Sequence, residues 1–188
     1  ESLLEIVNDI LDFAKIDAGY VELTQSDFVL RNLVEDTLEL LAPRAHERGL
    51  ELSFREEPGL PSVLHGDALR LRQILANLVA NAIRYTERGG VLVAARRRGK
   101  HRLRIEVWDT GIGIAPEQQE RIFDEFYQVG NAARDRTRGI GLGLAIVRRT
   151  ASILGEQITL RSVPGKGSCF AMELPLNLAP KAQAPVKE

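Results

Sequence analysis

Asp109 follows an alternating apolar run and precedes two closely spaced glycines, Gly111 and Gly113, in the stretch IEVWDTGIG. A carboxylate held at a strand end suits an exocyclic amine, such as that of adenine, better than a phosphate. Glycines beside it let a flat ring approach the backbone. The same residues also make an ordinary turn after a strand. A second group lies on LRLRQILANLVANAIRYT, where Asn77 and Asn81, four residues apart, share one helix face. An amide oxygen is a hard ligand suited to Mg²⁺, which keeps several waters and takes most other ligands from phosphates. Arg84 is placed to reach the same phosphates and Tyr85 to lie against a base; a solvated polar face is the alternative. A third group is Gly139, Gly141 and Gly143, spaced by two and running into the apolar helix LAIVRRTASIL. Free N–H groups and the positive end of the helix dipole make such a terminus an anion site. Its spacing fits neither the dinucleotide fingerprint nor a Walker loop.

The elements that must position these groups fit within 188 residues, enough for one substantial core with an appended element. With 44% hydrophobic and 27% charged residues, the chain has a globular composition. Its 25 basic and 26 acidic residues leave a net charge of -1, so no global pull toward nucleic acid or an anionic membrane is expected. A single cysteine, Cys169, excludes an internal disulfide and a cysteine-based zinc cluster, and fits a reducing, cytoplasmic setting. The chain has neither a signal peptide at its start nor an apolar run near the ~18 residues of a membrane span. Lacking an initiator Met, it reads as an excised fragment.

Taken in order, Leu3, Ile6, Ile10 and Phe13 form a coiled-coil-like seam over 2–18, with Gly19 at the C-cap. Such a short seam needs a partner helix, within this chain or in a second copy. After a short extended piece around Tyr20–Leu23, Asp27 is placed to start a second helix ending near Gly49, with Pro43 expected to kink or interrupt it. Strands are expected at Leu50–Phe54 and Val63–His65, with His65 a packing residue rather than a ligand. Asp67 caps the Asn77/Asn81 helix, whose apolar face includes Leu69, Leu71, Ile74, Leu75 and Leu78. Val91–Ala95 and Leu103–Val107 form a hairpin with Arg96–Lys100 as its solvated tip, and the second strand delivers Asp109. A short helix starts at Pro116, Gly130–Gly139 reads as a mobile loop, and strands at Gln157–Leu160 and Ser168–Leu174 close the domain. The Pro-, Ala- and Lys-rich stretch 177–188 reads as a disordered tail.

Five motifs in one order carry a resemblance. LRQILANLVANAIRYT is similar to the N box, DTGIGI to the first glycine box, IFDEFYQ to the phenylalanine box, GIGLGLAI to the second glycine box, and GKGSCF to the last glycine–Ser/Thr motif. Together, over about Asp27–Pro175, they resemble the catalytic, ATP-binding domain of bacterial sensor histidine kinases, in the Bergerat-fold superfamily shared with gyrase, MutL and a heat-shock chaperone. Residues 1–19 look like the end of the second helix of the dimerisation domain that usually precedes this core. The implied organisation is that helix, a catalytic domain over 20–176 and the tail.

The resemblance implies an α/β fold (α+β), a two-layer sandwich of a mixed sheet covered on one face by three helices. It further implies ATP and Mg²⁺ as ligands. Asn81 would ligate the metal, Asn77 would stand at the γ-phosphate, and Arg84 would contact phosphate. Tyr85 would stack on adenine, Asp109 accept its amino hydrogen, Gly111 and Gly113 line the base pocket, and Ser168 lie near the base. Gly139, Gly141, Gly143 and Leu144 would wrap the phosphates under a lid of about Arg121–Arg138.

The implied reaction is transfer of the γ-phosphoryl group to a dimerisation-domain histidine, for relay to a response-regulator receiver Asp, with the full-length protein a homodimer. None of His46, His65 and His101 has the family's His-Glu/Asp-Leu-Arg-Thr-Pro setting, so the acceptor is expected outside this stretch. Ile140 departs from the common Thr or Ser and removes a hydroxyl near the phosphates. Two other readings remain: a non-catalytic nucleotide-sensing module, and an ATPase, against which Asn77 stands where those relatives place a general-base Glu.

Overall fold

The computed structural model describes residues 3–128 and 141–176. The expected mobile loop, Gly139, Ile140 and the expected disordered tail lie outside the described residues, as does most of the expected lid.

Helix α1 (Leu3–Asp17) ends where Gly19 takes φ +70°. The Gly19 N–H bonds the Ile16 carbonyl and the Tyr20 N–H the Lys15 carbonyl, a Schellman end that needs a residue without Cβ. Phe13 and Ile16 turn toward α4 (Gly143–Ile153), where Ile16, Leu142 and Ile146 bury one another. Val7, Ile10 and Leu11 remain exposed.

Strand β1 (Ser26–Val29) pairs antiparallel with β3 (Val63–Gly66) in a small two-stranded sheet that the sequence pattern does not announce. Asp27 is therefore a strand residue and not a helix cap: it pairs with His65, whose Nδ1 lies 2.7 Å from the Asp27 carboxylate. Helix α2 (Leu30–Glu47) begins after Val29 with no side-chain cap. It also continues through Pro43. That residue and Glu39, four positions earlier, both lie on the exposed side, where the carbonyl left without a donor can face water.

The main sheet has order β2-β4-β5-β7-β6, with β2 (Glu51–Glu56), β4 (Gly90–Arg98), β5 (Arg102–Asp109), β6 (Ile158–Val163) and β7 (Gly167–Pro175). Only β2 and β4 run parallel, which makes the sheet mixed. One face carries Val91, Val93 and Ala95 of β4 and Leu103, Ile105 and Val107 of β5, all buried against α2, α3 (Ala68–Tyr85) and α4. Seven residues of α3, from Leu71 to Ile83, are buried there at helical spacing. Leu69 is instead 63% exposed. Asp67 caps α3 as expected, accepting from the Arg70 N–H, and its other oxygen accepts from the Thr24 N–H. Arg96–Arg98 belong to β4 and pair with β5, so the solvated tip shrinks to Gly99–His101.

Candidate nucleotide site

Asp109 ends β5 on the helix-covered side, opposite Ser168 of β7. Its Oδ1 accepts from the Gly111 N–H at 2.8 Å and the Ser168 N–H at 3.2 Å. Burial nevertheless pushes its pKa up, against the hydrogen bonds from Gly111 and Ser168 that favour the charged form.

The backbone beyond Asp109 needs its glycines. A Cβ on Gly111 would meet the Tyr85 carbonyl oxygen at 2.4 Å. A Cβ on Gly113, at φ +67°, would meet the Val163 carbonyl at 2.1 Å. This turn is thus pressed between the end of α3 and the β6–β7 hairpin, and the Gly165 N–H bonds the Ile112 carbonyl at 2.7 Å.

Asp109, Gly113 and Ser168 line a cleft open to solvent with Asn81, Tyr85 and Leu144. Its apolar walls include Ile112, Ile114 and Phe170, and its remaining wall includes Ile122, Tyr127 and Gln128. Asn77 and Asn81 meet the start of α4: a Cβ on Gly143 would lie 3.2 Å from the Asn77 side-chain oxygen and 3.6 Å from the Asn81 amide nitrogen. The Asn77 side-chain N–H₂ donates to the Gln73 carbonyl, directing its oxygen away from its own helix backbone. Gly141, at φ +79°, packs beneath Tyr127, and its carbonyl accepts from the Phe126 N–H.

Of the residues expected at a site, the structure brings Asn81, Tyr85, Asp109, Gly113, Leu144 and Ser168 to one cavity. Gly111, Gly141 and Gly143 pack against residues of its lining, and Asn77 meets Gly143. Arg84 is half-buried at the end of α3 and does not line the cavity. Residue-by-residue reading missed Ile122, Tyr127 and Phe170. The first two sit in the phenylalanine box, and Phe170 is legible from β7's alternation, since it shares a face with Ser168. Among the described residues no cluster of His, Cys, Asp or Glu forms a metal site. No helix there is long and apolar enough to cross a membrane.

Residues 66–178 match the profile of the family described as histidine kinase-, DNA gyrase B- and HSP90-like ATPase. The chain is 43% identical to the sensor protein GacS of Pseudomonas syringae pv. syringae, over all of this chain and 21% of that protein. It is 38% identical to the signal transduction histidine-protein kinase BarA of Escherichia coli K12, over 95% of this chain and 20% of that protein. It therefore spans about a fifth of the length of these curated relatives. Full-length ShkA, solved in complex with AMPPNP, is 40% identical and superimposes with a TM-score of 0.84, covering 94% of this chain and 36% of that one. The catalytic domain of the histidine kinase ThkA, nucleotide-free, is 28% identical with a TM-score of 0.69, covering 84% of this chain and 97% of that one.

Proposed function

The chain belongs to the histidine kinase-, DNA gyrase B- and HSP90-like ATPase family, and from that membership we propose that it is the catalytic domain of a sensor histidine kinase. Its reaction is transfer of the ATP γ-phosphoryl group to a histidine nitrogen of a dimerisation domain, for relay to a response-regulator Asp. The observation that carries this reading is one cavity uniting a half-buried strand-end carboxylate, Asp109, with an amide, Asn81, and the N-terminus of α4. Those groups complement an amino-bearing base and a polyphosphate in one molecule.

On this reading Asp109 accepts an adenine amino hydrogen, Ser168 stands beside it, and Tyr85 lies against the ring. Gly111 and Gly113 keep the backbone clear of the base. Gly141, Gly143 and Leu144 direct N–H groups at phosphate, where Arg84 adds positive charge. The residues fit Mg²⁺: Asn81 offers a hard amide oxygen, and Asn77 stands beside it against Gly143. The metal, when bound, neutralises phosphate charge. A Mg²⁺ held mostly by phosphates and water needs no carboxylate cluster, in keeping with its lack among the described residues. Catalysis rests on positioning and charge stabilisation, with no covalent chemistry by these side chains. Helix α1 is the end of a dimerisation helix, and its exposed Val7, Ile10 and Leu11 meet a second copy in a homodimer. The phosphoacceptor lies outside this chain, and the setting is cytoplasmic.

Titration calorimetry of ATP with and without Mg²⁺ tests the site. The wild-type chain binds more tightly with Mg²⁺, and Asn81→Ala loses roughly tenfold of that enhancement while still binding metal-free ATP. A wild-type chain that fails to bind ATP sinks the reading. Phosphorylation of an added dimerisation domain on histidine, from labelled ATP, tests the transfer itself.

A further inference from the structure

Ser162, on β6, has more hydrogen-bond partners than a hydroxyl's single proton can serve. Its Oγ accepts from the Ile114 N–H at 2.8 Å, lies 3.1 Å from the Gly167 carbonyl, and lies 3.0 Å from Oγ of Ser168. The proton goes to Gly167 or to Ser168, and that choice sets what Ser168 does. If Ser162 donates to Gly167, Ser168 must spend its own proton on Ser162. If Ser162 donates to Ser168, the Ser168 proton is free to turn toward the Asp109 carboxylate, whose Oδ1 already accepts from the Ser168 N–H. A second residue ties the Gly111–Ile114 turn to β6: the Gln119 side-chain N–H₂ donates to the carbonyls of Ile114 (3.0 Å) and Ser162 (3.2 Å). The Gly111–Ile114 turn is thus bound to β6 through both polar groups of Ile114.

We propose that Ser162 is a positioning residue of the base pocket: its hydroxyl orients that of Ser168 and anchors the Gly111–Ile114 turn, so that Asp109 presents an acceptor to the amino edge of adenine. This rests on the nucleotide reading above and adds a residue that does not line the cavity. Adenine offers an amine hydrogen where hypoxanthine offers a carbonyl oxygen, which a carboxylate repels. A site that loses this orientation therefore loses affinity for adenine more than for hypoxanthine.

The test is the affinity of the 188-residue chain for ATP and for ITP, its hypoxanthine analogue, in wild type, Ser162→Ala and Ser162→Thr, with a melting temperature for each. Ser162→Ala weakens ATP about tenfold and ITP less than about twofold, narrowing the preference for ATP. Ser162→Thr, which keeps the hydroxyl, stays within about threefold of wild type for ATP. Equal loss of both nucleotides marks a merely structural role and overturns the inference. So does unchanged ATP affinity in Ser162→Ala, or a Ser162→Thr chain of normal melting temperature that binds like the alanine variant. A wild type that binds no ATP removes the nucleotide reading and this inference together, whereas a binding wild type with an indifferent Ser162→Ala removes this inference alone.

Discussion

Glu106 and Asp109 stand three residues apart on β5 and so face opposite sides of the sheet. Burial pushes both carboxyls upward, yet their pKa values move in opposite directions. At Glu106, only 3% exposed, hydrogen bonds from Arg104, Arg96 and Trp108 outweigh burial and hold the carboxyl below the usual range. The contacts are close: Arg96 at 2.6 Å, Arg104 at 2.7 Å and the Trp108 indole N–H at 3.1 Å. At Asp109 burial prevails over the hydrogen bonds from Gly111 and Ser168. Glu106 is a satisfied structural anion. Asp109 is an anion whose hydrogen bonds do not outweigh its burial, which suits a site awaiting an amine.

Asp109→Asn gives the largest expected effect and bears directly on that contrast. Both backbone bonds fall on Oδ1, so the amide oxygen can keep them while the second position becomes a donor. ATP affinity falls about 100-fold, roughly 2.7 kcal/mol, by calorimetry, and the melting temperature holds or rises because a partly buried charge is gone. Glu106→Gln is the converse. Losing the anion shared by three arginines costs about 1–2 kcal/mol in urea unfolding, less than a fully buried pair because Arg96 and Arg161 are about half exposed or more. ATP affinity stays within about twofold, since Glu106 faces away from the cavity. If Asp109→Asn destabilises while Glu106→Gln abolishes binding, the assignment of roles to the two faces is wrong.

Acid separates the two carboxyls further. Asp109's folded pKa is raised above its ordinary 3.8, so the folded state favours its protonated form; its ionised form burdens stability at neutral pH, and the burden lifts as pH falls through the folded pKa. Glu106's is lowered from 4.5, so its stabilisation is fully present above 4.5 and is lost as pH falls through the lower folded value. On acidification, ATP affinity therefore declines while the Glu106 network is still intact. The ratio of wild-type to Asp109→Asn affinity, which cancels protonation of the nucleotide itself, shrinks toward one. A ratio constant down to the onset of unfolding contradicts the raised pKa.

The parts of this contrast differ in how far they can be read from sequence. Asp109 was legible because a strand ending in a carboxylate and spaced glycines is a local pattern, and Asp67 and Gly19 were legible as helix ends for the same reason. Asp27 was misread because Asp is both a good helix cap and an acceptable strand residue when an opposite strand brings a histidine; only the β1–β3 pairing decides. The anion at Glu106 was not legible at all. Its partners come from β4, β5 and β6, and the run Arg96–Arg98 looked like a solvated tip until the register placed Arg96 beside Glu106. Ser162 was equally silent, since its partners Ile114 and Ser168 are joined only by the fold. Local chemistry shows in a sequence; chemistry assembled across strands waits for the register.

Arg161→Ala probes how much of the open face is network and how much decoration. Arg161 is 64% exposed, sits 3.9 Å from the Glu106 carboxylate, and places its guanidinium 5.4 Å from the centre of the Trp108 ring. An exposed ion pair at that distance contributes at most a few tenths of a kcal/mol, and an exposed cation–π contact about 0.5 kcal/mol. Arg96 and Arg104 still hold Glu106 after the substitution, so the buried anion keeps its two short bonds. Urea unfolding of Arg161→Ala should therefore show a loss below about 1 kcal/mol, and 0.5 M salt should erase most of the ionic share of it. A loss approaching that of Glu106→Gln would mean that the third arginine carries the network and that Arg96 and Arg104 cannot hold the anion without it.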